Sequence, residues 1–109
     1  MLLVATGLLA LALLVPRGGG AAGAGATASA AKTVTVKSFA FKPATLAVKR
    51  GTRVTFANTS TATHTASGAG FDTKQIPPGK AATVRFDKRG TFAYHCKIHP
   101  FMKGKVVVE

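Results

Sequence analysis

The segment of the chain best suited to chemistry lies near its C-terminus and reads YHCKIHPFM over residues 94–102. It places a thiol, an imidazole and a thioether three residues apart, on Cys96, His99 and Met102. Side chains at this spacing on a tight loop can converge on one point. Soft sulfur ligands combined with imidazole favour copper among the biological metals. The segment therefore predicts a metal site on a loop.

A copper centre with one thiolate and a weak axial thioether needs a second imidazole. His64 is available 32 residues before Cys96, after a predicted strand over residues 52–58. His95 alternates with Cys96 along its strand, so it is expected to face the other side. We therefore predict one copper ion, cycling between Cu(I) and Cu(II), with the ligands His64, Cys96, His99 and Met102.

Each of these residues alone has an ordinary structural explanation. An isolated cysteine is usually a small buried hydrophobe, and an isolated methionine usually fills space in a core. The combination is more specific, because the chain has one Cys and, apart from Met1, one Met. Residues 31–109 also form a short domain without an internal disulfide, and such domains often gain stability from a metal.

The elements that must position these ligands show an apolar period of two. Turn signals recur at intervals of roughly 8–12 residues, which is typical of a β-sandwich or barrel. We predict an all-β domain of about seven strands in two sheets, without a substantial helix. Residues 66–79 are expected to be irregular and to cross one end of the domain. The clearest predicted strands cover residues 33–36, 46–48, 52–58, 82–86, 92–96 and 106–108.

Residues 1–30 differ in composition from the rest of the chain. Residues 1–15 are apolar and uncharged, and Ala28-Ser29-Ala30 is a small-residue cleavage pattern. We predict a signal peptide and processing segment over 1–30, and a copper-binding domain over 31–109 in the periplasm, cell envelope or extracellular space. No basic residue precedes the apolar run, so a retained segment acting as a weak membrane anchor is the alternative.

The charge of the chain is strongly basic. Fifteen Lys and Arg stand against three Asp and Glu, for a net charge of +12. Arg17 is the only one of the fifteen within residues 1–30, so the predicted domain carries +11. Such a charge favours an acidic partner, an anionic surface or nucleic acid, although it also improves solubility without any partner.

Residues 90–108 resemble the signature of the cupredoxin family of type 1 blue copper proteins, and most closely its amicyanin-like and plastocyanin-like members. The resemblance extends over the predicted domain, including Asn58, His64 and the turn at Pro78-Gly79. It implies a monomeric Greek-key β-sandwich that shuttles single electrons between redox proteins and is not an enzyme. It also implies electron transfer through the exposed edge of His99.

The resemblance further implies a division of roles within the site. Cys96 would be the dominant equatorial ligand, His64 the buried ligand and Met102 the axial one. Pro100 and Phe101 would form an apolar patch around His99. A redox partner with an acidic docking surface would then contact the lysines expected at the rim of this patch, which are Lys74, Lys80, Lys97 and Lys103.

Three features depart from the family pattern. Thr65 replaces an Asn whose side chain ties the two ligand loops, so a looser tie is expected. Ile98 replaces a Pro before the second histidine. Because proline has no N–H, Ile98 is expected to donate a new hydrogen bond to the Cys96 sulfur and raise the reduction potential. The basic charge contrasts with acidic amicyanin-like members, so their partner is not transferred to this chain.

Two other functions would explain some of the same observations. A copper carrier or resistance protein without electron relay would need the same ligands, but the chain has no Met-rich or His-rich tract. A nucleic-acid-binding β-barrel would account for the charge and seven Phe, but the predicted export opposes it. Nucleic acid is therefore not an expected partner, and membrane contact is expected only if residues 1–30 are retained. The predicted inward or strand-end positions of four aromatic residues also oppose nucleic-acid binding, because these rings would not form an exposed stacking platform. They are Phe39, Phe56, Phe86 and Phe92.

Overall fold

The computed structural model describes residues 30–109. The predicted export segment, residues 1–30, lies outside this range apart from Ala30, so its cleavage or retention stays a prediction. Within residues 30–109, no helix has the length and apolar character needed to cross a membrane.

The described residues form eight β-strands in two four-stranded sheets, which confirms the predicted all-β sandwich. The first sheet has the order β2-β1-β4-β6 and the second the order β3-β8-β7-β5. Two very short strands, β2 and β5, were not predicted. The strands are β1 (Ala31–Lys37), β2 (Ala40–Lys42), β3 (Thr45–Val48), β4 (Thr52–Asn58), β5 (Ser67–Gly68), β6 (Ala81–Phe86), β7 (Gly90–His95) and β8 (Lys103–Val108).

Strand β4 shows how the period of two builds the sandwich. It pairs in parallel with β1 and antiparallel with β6, so it lies inside the first sheet. Val54, Phe56 and Asn58 are buried, whereas the residues between them are more exposed. Alternate side chains of a strand point to opposite faces, so one face of β4 covers the core and its last inward residue is polar.

Aromatic contacts in the core join the two sheets. Phe56 of the first sheet and Tyr94 of the second are both buried, with their ring centroids 5.3 Å apart in an edge-to-face arrangement. Tyr94 also contacts Phe41 at 4.7 Å, edge-to-face. Such pairs add stability beyond the area that they bury. They hold β4 against β7, and the two ligand loops follow these strands.

Residues 66–79 are largely irregular, as predicted, but they are held by backbone hydrogen bonds. The Gly68 N–H donates to the Phe71 carbonyl at 2.8 Å, and the Thr73 N–H donates to the Ala66 carbonyl at 3.0 Å. Ile76 is buried and pairs with His64 in an isolated bridge. The segment is thus a support for the first histidine.

Candidate metal centre

Three of the four predicted ligands converge at one end of the sandwich. Cys96 Sγ lies 3.7 Å from His64 Nδ1 and 3.8 Å from His99 Nδ1, and the two Nδ1 atoms are 3.2 Å apart. A point equidistant from three atoms with these separations lies about 2.1 Å from each, close to the bond lengths from histidine nitrogen and cysteine sulfur to a first-row metal ion. The residues therefore fit a copper ion.

Met102 is buried and closes the loop that carries the other two ligands. Its N–H donates to the His99 carbonyl at 2.8 Å, and its own carbonyl accepts the Cys96 N–H at 3.0 Å. These bonds bring the chain back beside the end of β7, and β8 begins directly after Met102. Met102 is therefore held in the same closed loop as Cys96 and His99.

The first histidine is anchored by the end of β4. Asn58 Nδ2 donates to the carbonyls of Ile76 at 2.7 Å and Ala62 at 2.8 Å, while its Oδ1 accepts from Ser60 N–H and Oγ. Ile76 in turn exchanges backbone bonds with His64 at 3.2 and 2.7 Å. One buried amide thus fixes both segments that flank His64.

The electrostatic setting of His64 favours its neutral form. Burial lowers the pKa of His64 below its ordinary value, and repulsion from the nearby His99 lowers it further. A metal binds the neutral imidazole and competes with protons for it. The lowered pKa of His64 therefore favours metal binding over protonation at this histidine.

Thr65 links the two ligand loops, by its backbone and by its side chain. Its N–H donates to Cys96 Sγ at 3.4 Å, and its Oγ1 accepts the Lys97 N–H at 2.9 Å. The tie that the family makes with Asn is thus present here with Thr. The prediction that Ile98 donates a hydrogen bond to the Cys96 sulfur is wrong. Among residues 30–109, the backbone N–H that donates to this sulfur belongs to Thr65.

The apolar surface around His99 is larger than predicted. Phe101 is 65% exposed, and it is joined by Phe39 at 59% and Ile98 at 45%. The Phe39 ring centroid lies 5.5 Å from that of His99 and 5.7 Å from that of Phe101. Sequence reasoning missed Phe39 as part of this patch and expected it to turn inward or end a strand, because its contact with His99 joins residues that lie far apart in the sequence.

Of the four lysines predicted to lie around the apolar patch, one forms an ion pair. Lys74, Lys80 and Lys103 are exposed, but Lys97 Nζ forms an ion pair with Asp72 at 2.8 Å. Lys97 therefore has a partner within the chain. His95 lies in a separate surface groove that Asp72 and Lys103 also line, away from the converging ligand atoms.

Comparison with known proteins agrees with this geometry. The cupredoxin-like domain family matches residues 3–108. Amicyanin-alpha of Methylorubrum extorquens is 36% identical over 83 residues, which cover 70% of each chain. Amicyanin of Paracoccus denitrificans is 33% identical over 83 residues, covering 70% of this chain and 63% of the relative. Chloroplastic plastocyanin of Tetradesmus obliquus is 30% identical over 90 residues, covering 66% and 60% respectively.

Solved structures show the same likeness. A Cu(I) form of a mutant amicyanin superposes with a TM-score of 0.70 and 35% identity, covering 75% of this chain and 85% of the other. An oxidised form of another amicyanin mutant has a TM-score of 0.69 and 34% identity, with coverages of 72% and 82%. On its sequence and its fold, this chain belongs to the cupredoxin family.

Proposed function

We propose that this chain carries single electrons through one type 1 copper ion held by His64, Cys96, His99 and Met102. The observation that supports this most is the convergence of three ligand atoms within 3.8 Å of one another, in a member of the cupredoxin family. The chain is an amicyanin-like electron carrier and not an enzyme.

The residues of the site have different roles in electron transfer. Copper, when bound, supplies the one-electron Cu(I)/Cu(II) couple. Hydrogen bonds to the Cys96 sulfur and the burial of the site set how strongly each oxidation state is favoured. Because His64 and Cys96 are buried and held by backbone hydrogen bonds, they need to move little when the charge of the site changes.

The electron leaves or arrives through the partly exposed His99. Phe39, Ile98 and Phe101 surround this histidine with an apolar surface that a partner can cover. Exclusion of water from such a contact brings the partner close to a ligand of the metal. The closed loop ending at Met102 holds His99 toward that surface.

Titration of the purified protein with Cu(II), followed by visible absorption, tests the proposed function. We expect one equivalent of copper to give the intense blue absorption of a thiolate–Cu(II) centre. Cys96→Ser should abolish the colour, whereas His95→Ala should retain it because His95 lies outside the site. A protein that binds only Cu(I) and stays colourless would instead be the copper carrier considered above.

We propose further that the redox partner has an acidic docking surface. The chain is strongly basic; Lys37 lies two residues before Phe39 in the sequence, and Lys103 directly follows Met102. Electrostatic steering should make electron transfer to an acidic partner fall steeply above about 0.1 M salt, where the Debye length is about 10 Å.

Matched charge reversals test this docking surface. Lys37→Glu combined with Lys103→Glu should slow electron transfer more than Arg50→Glu combined with Arg53→Glu. Both arginines lie at the opposite end of the sandwich, where the Arg50 N–H bonds to the Glu109 carbonyl and Arg53 pairs with Arg85. If both double variants slow electron transfer equally, the effect comes from net charge alone.

Export of the domain belongs to the same proposal. It is supported by the apolar run and the Ala28-Ser29-Ala30 pattern of residues 1–30, and it places the carrier in the periplasm or cell envelope. N-terminal sequencing of protein from the periplasmic fraction should find a start near Ala31. Recovery of the uncut chain from the membrane fraction would instead support the retained anchor.

A further inference from the structure

A ring of hydrogen bonds joins Asp72 to both ligand loops. Asp72 lies between β5 and β6, and its carboxylate accepts a bond from Ser67 Oγ at 2.9 Å and one from Lys97 Nζ at 2.8 Å. Ser67 Oγ lies 3.0 Å from Thr65 Oγ1. The same Thr65 oxygen accepts the Lys97 N–H at 2.9 Å. The ring thus runs from Asp72 through two hydroxyls to the Lys97 backbone, and returns through the Lys97 side chain.

The carboxylate determines the direction of each bond in this ring. An ionised carboxylate only accepts, so the single hydroxyl proton of Ser67 points to Asp72. Ser67 Oγ can then accept the hydroxyl proton of Thr65. The lone pairs of Thr65 Oγ1 are left to accept the Lys97 N–H. Without the carboxylate, both hydroxyls could rotate to other arrangements.

We propose that Asp72 is a positioning residue for the copper ligands, which sets the separation of the two ligand loops through Ser67 and Thr65. The ring connects the residue after each ligand, because Thr65 follows His64 and Lys97 follows Cys96. Thr65 also donates its N–H to the Cys96 sulfur. This inference rests on the proposed function, since it assigns a purpose to the spacing of those ligands.

The buried part of the ring carries the effect. Thr65 and Ser67 are buried, whereas the Lys97 and Asp72 side chains are 60% and 28% exposed. An exposed ion pair contributes little to stability by itself, so the significance of Asp72 lies in orienting the hydroxyls. The bonds from Lys97, Lys74 and Ser67 hold the pKa of Asp72 well below its ordinary value, and the acceptor therefore stays charged.

Hydrogen exchange of the Lys97 backbone amide in the copper-free protein tests the proposal. In Asp72→Ala the amide should exchange roughly tenfold faster or more, the change expected when a hydrogen bond of about 1.4 kcal/mol or more is lost. Asp87→Ala is the matched control, because Asp87 also forms a surface ion pair, with Arg85 at 2.7 Å. It follows β6 at the opposite end of the sandwich, and its loss should leave this amide unchanged.

Ser67→Ala separates the hydroxyl relay from the charge of Asp72. It keeps the net charge and should accelerate exchange of the same amide as Asp72→Ala does. Asp72→Asn serves as a second variant at that position, and cooperative melting checks that each protein folds. Equal rates in all variants would overturn the proposal, as would acceleration in Asp72→Ala without acceleration in Ser67→Ala. Copper titration of the unsubstituted chain decides the proposed function separately, because the exchange measurement uses no copper.

Discussion

The two histidines of the site lie on loops that are built in opposite ways. His64 is fully buried, and its backbone exchanges two hydrogen bonds with the buried Ile76. His99 is partly exposed, and its neighbours Ile98 and Phe101 project into solvent. One loop is thus packed on both sides by the protein, whereas the other presents a ligand to the outside.

This difference separates two requirements that an electron carrier must meet together. The metal needs ligands whose spacing does not change, which the backbone bonds around His64 and Cys96 provide. The partner needs a surface that can vary, which the exposed side chains around His99 provide. A basic exterior can therefore coexist with a fixed ligand spacing, because the two properties depend on different residues.

The largest expected effect comes from copper, which would connect the two loops. At a free concentration a thousandfold above Kd, a ligand that binds only the folded state adds about 4 kcal/mol. For a domain of this size, melting should then rise by roughly 15 °C or more. Calorimetry with and without copper measures this rise, and the copper-free protein should still melt cooperatively.

His99→Ala is the control for this prediction. Because His99 is partly exposed, its loss should change the melting of the copper-free protein little while removing most of the copper-induced rise. Equal melting temperatures of the unsubstituted protein with and without copper would contradict the prediction.

The next effect concerns the anchor of the buried loop. Asn58→Ala should lower the unfolding free energy of the copper-free protein by about 1–3 kcal/mol, because the buried carbonyl of Ile76 loses its side-chain donor. Ile98→Ala, on the exposed loop, should change it by less than about 0.5 kcal/mol. Urea denaturation measures both. Similar losses in the two variants would show that the loops do not differ as described.

The sequence predicted the parts of the molecule that depend on local pattern. Alternation of apolar residues predicted the long strands, and the spacing of Cys96, His99 and Met102 predicted a loop whose backbone closes on itself. It missed β2 and β5, because strands of three and two residues are too short to show a period. Their pairing depends on neighbours that are distant in sequence.

The remaining misses share a tertiary cause. Ile98 was expected to donate to the Cys96 sulfur, but Thr65, which is 31 residues away in sequence, does so instead. Phe39 joins His99 across the molecule, and Asp72 meets Lys97 across 25 residues. None of these contacts has a spacing that could be recognised along the chain, since each arises from how the two sheets bring their end loops together.

A smaller effect should follow from pH in the copper-free protein. The folded state holds the pKa of His64 below its ordinary value, so the unfolded chain takes up a proton first as pH falls through about 6.5. The unfolded state then binds more protons, and stability falls with acidification. For His64 alone, the unfolding free energy changes by at most about 1.4 kcal/mol per pH unit.

Urea denaturation at a series of pH values measures this slope. His64→Gln should reduce the dependence, whereas His95→Gln, outside the site, should retain it. A stability that rises on acidification would contradict the assigned direction.

A small effect on stability is also expected at Phe39, an exposed aromatic side chain beside His99. Its φ of 70° lies in the left-handed region, which is unfavourable for a bulky residue. Phe39→Gly relieves that strain but gives the unfolded chain more freedom and removes the ring contacts with His99 and Phe101. These terms oppose one another, so the unfolding free energy should change by less than about 1 kcal/mol.

Electron transfer should respond more strongly than stability to this change. Phe39→Gly removes apolar surface beside His99 and should slow exchange with a protein partner, whereas Phe39→Leu, which keeps an apolar side chain, should slow it less. Stopped-flow kinetics and thermal melting of the same variants distinguish the two properties. A large loss of stability with unchanged rates would make Phe39 a structural residue. Unchanged stability with slower transfer would show why the protein retains a strained aromatic residue at its surface.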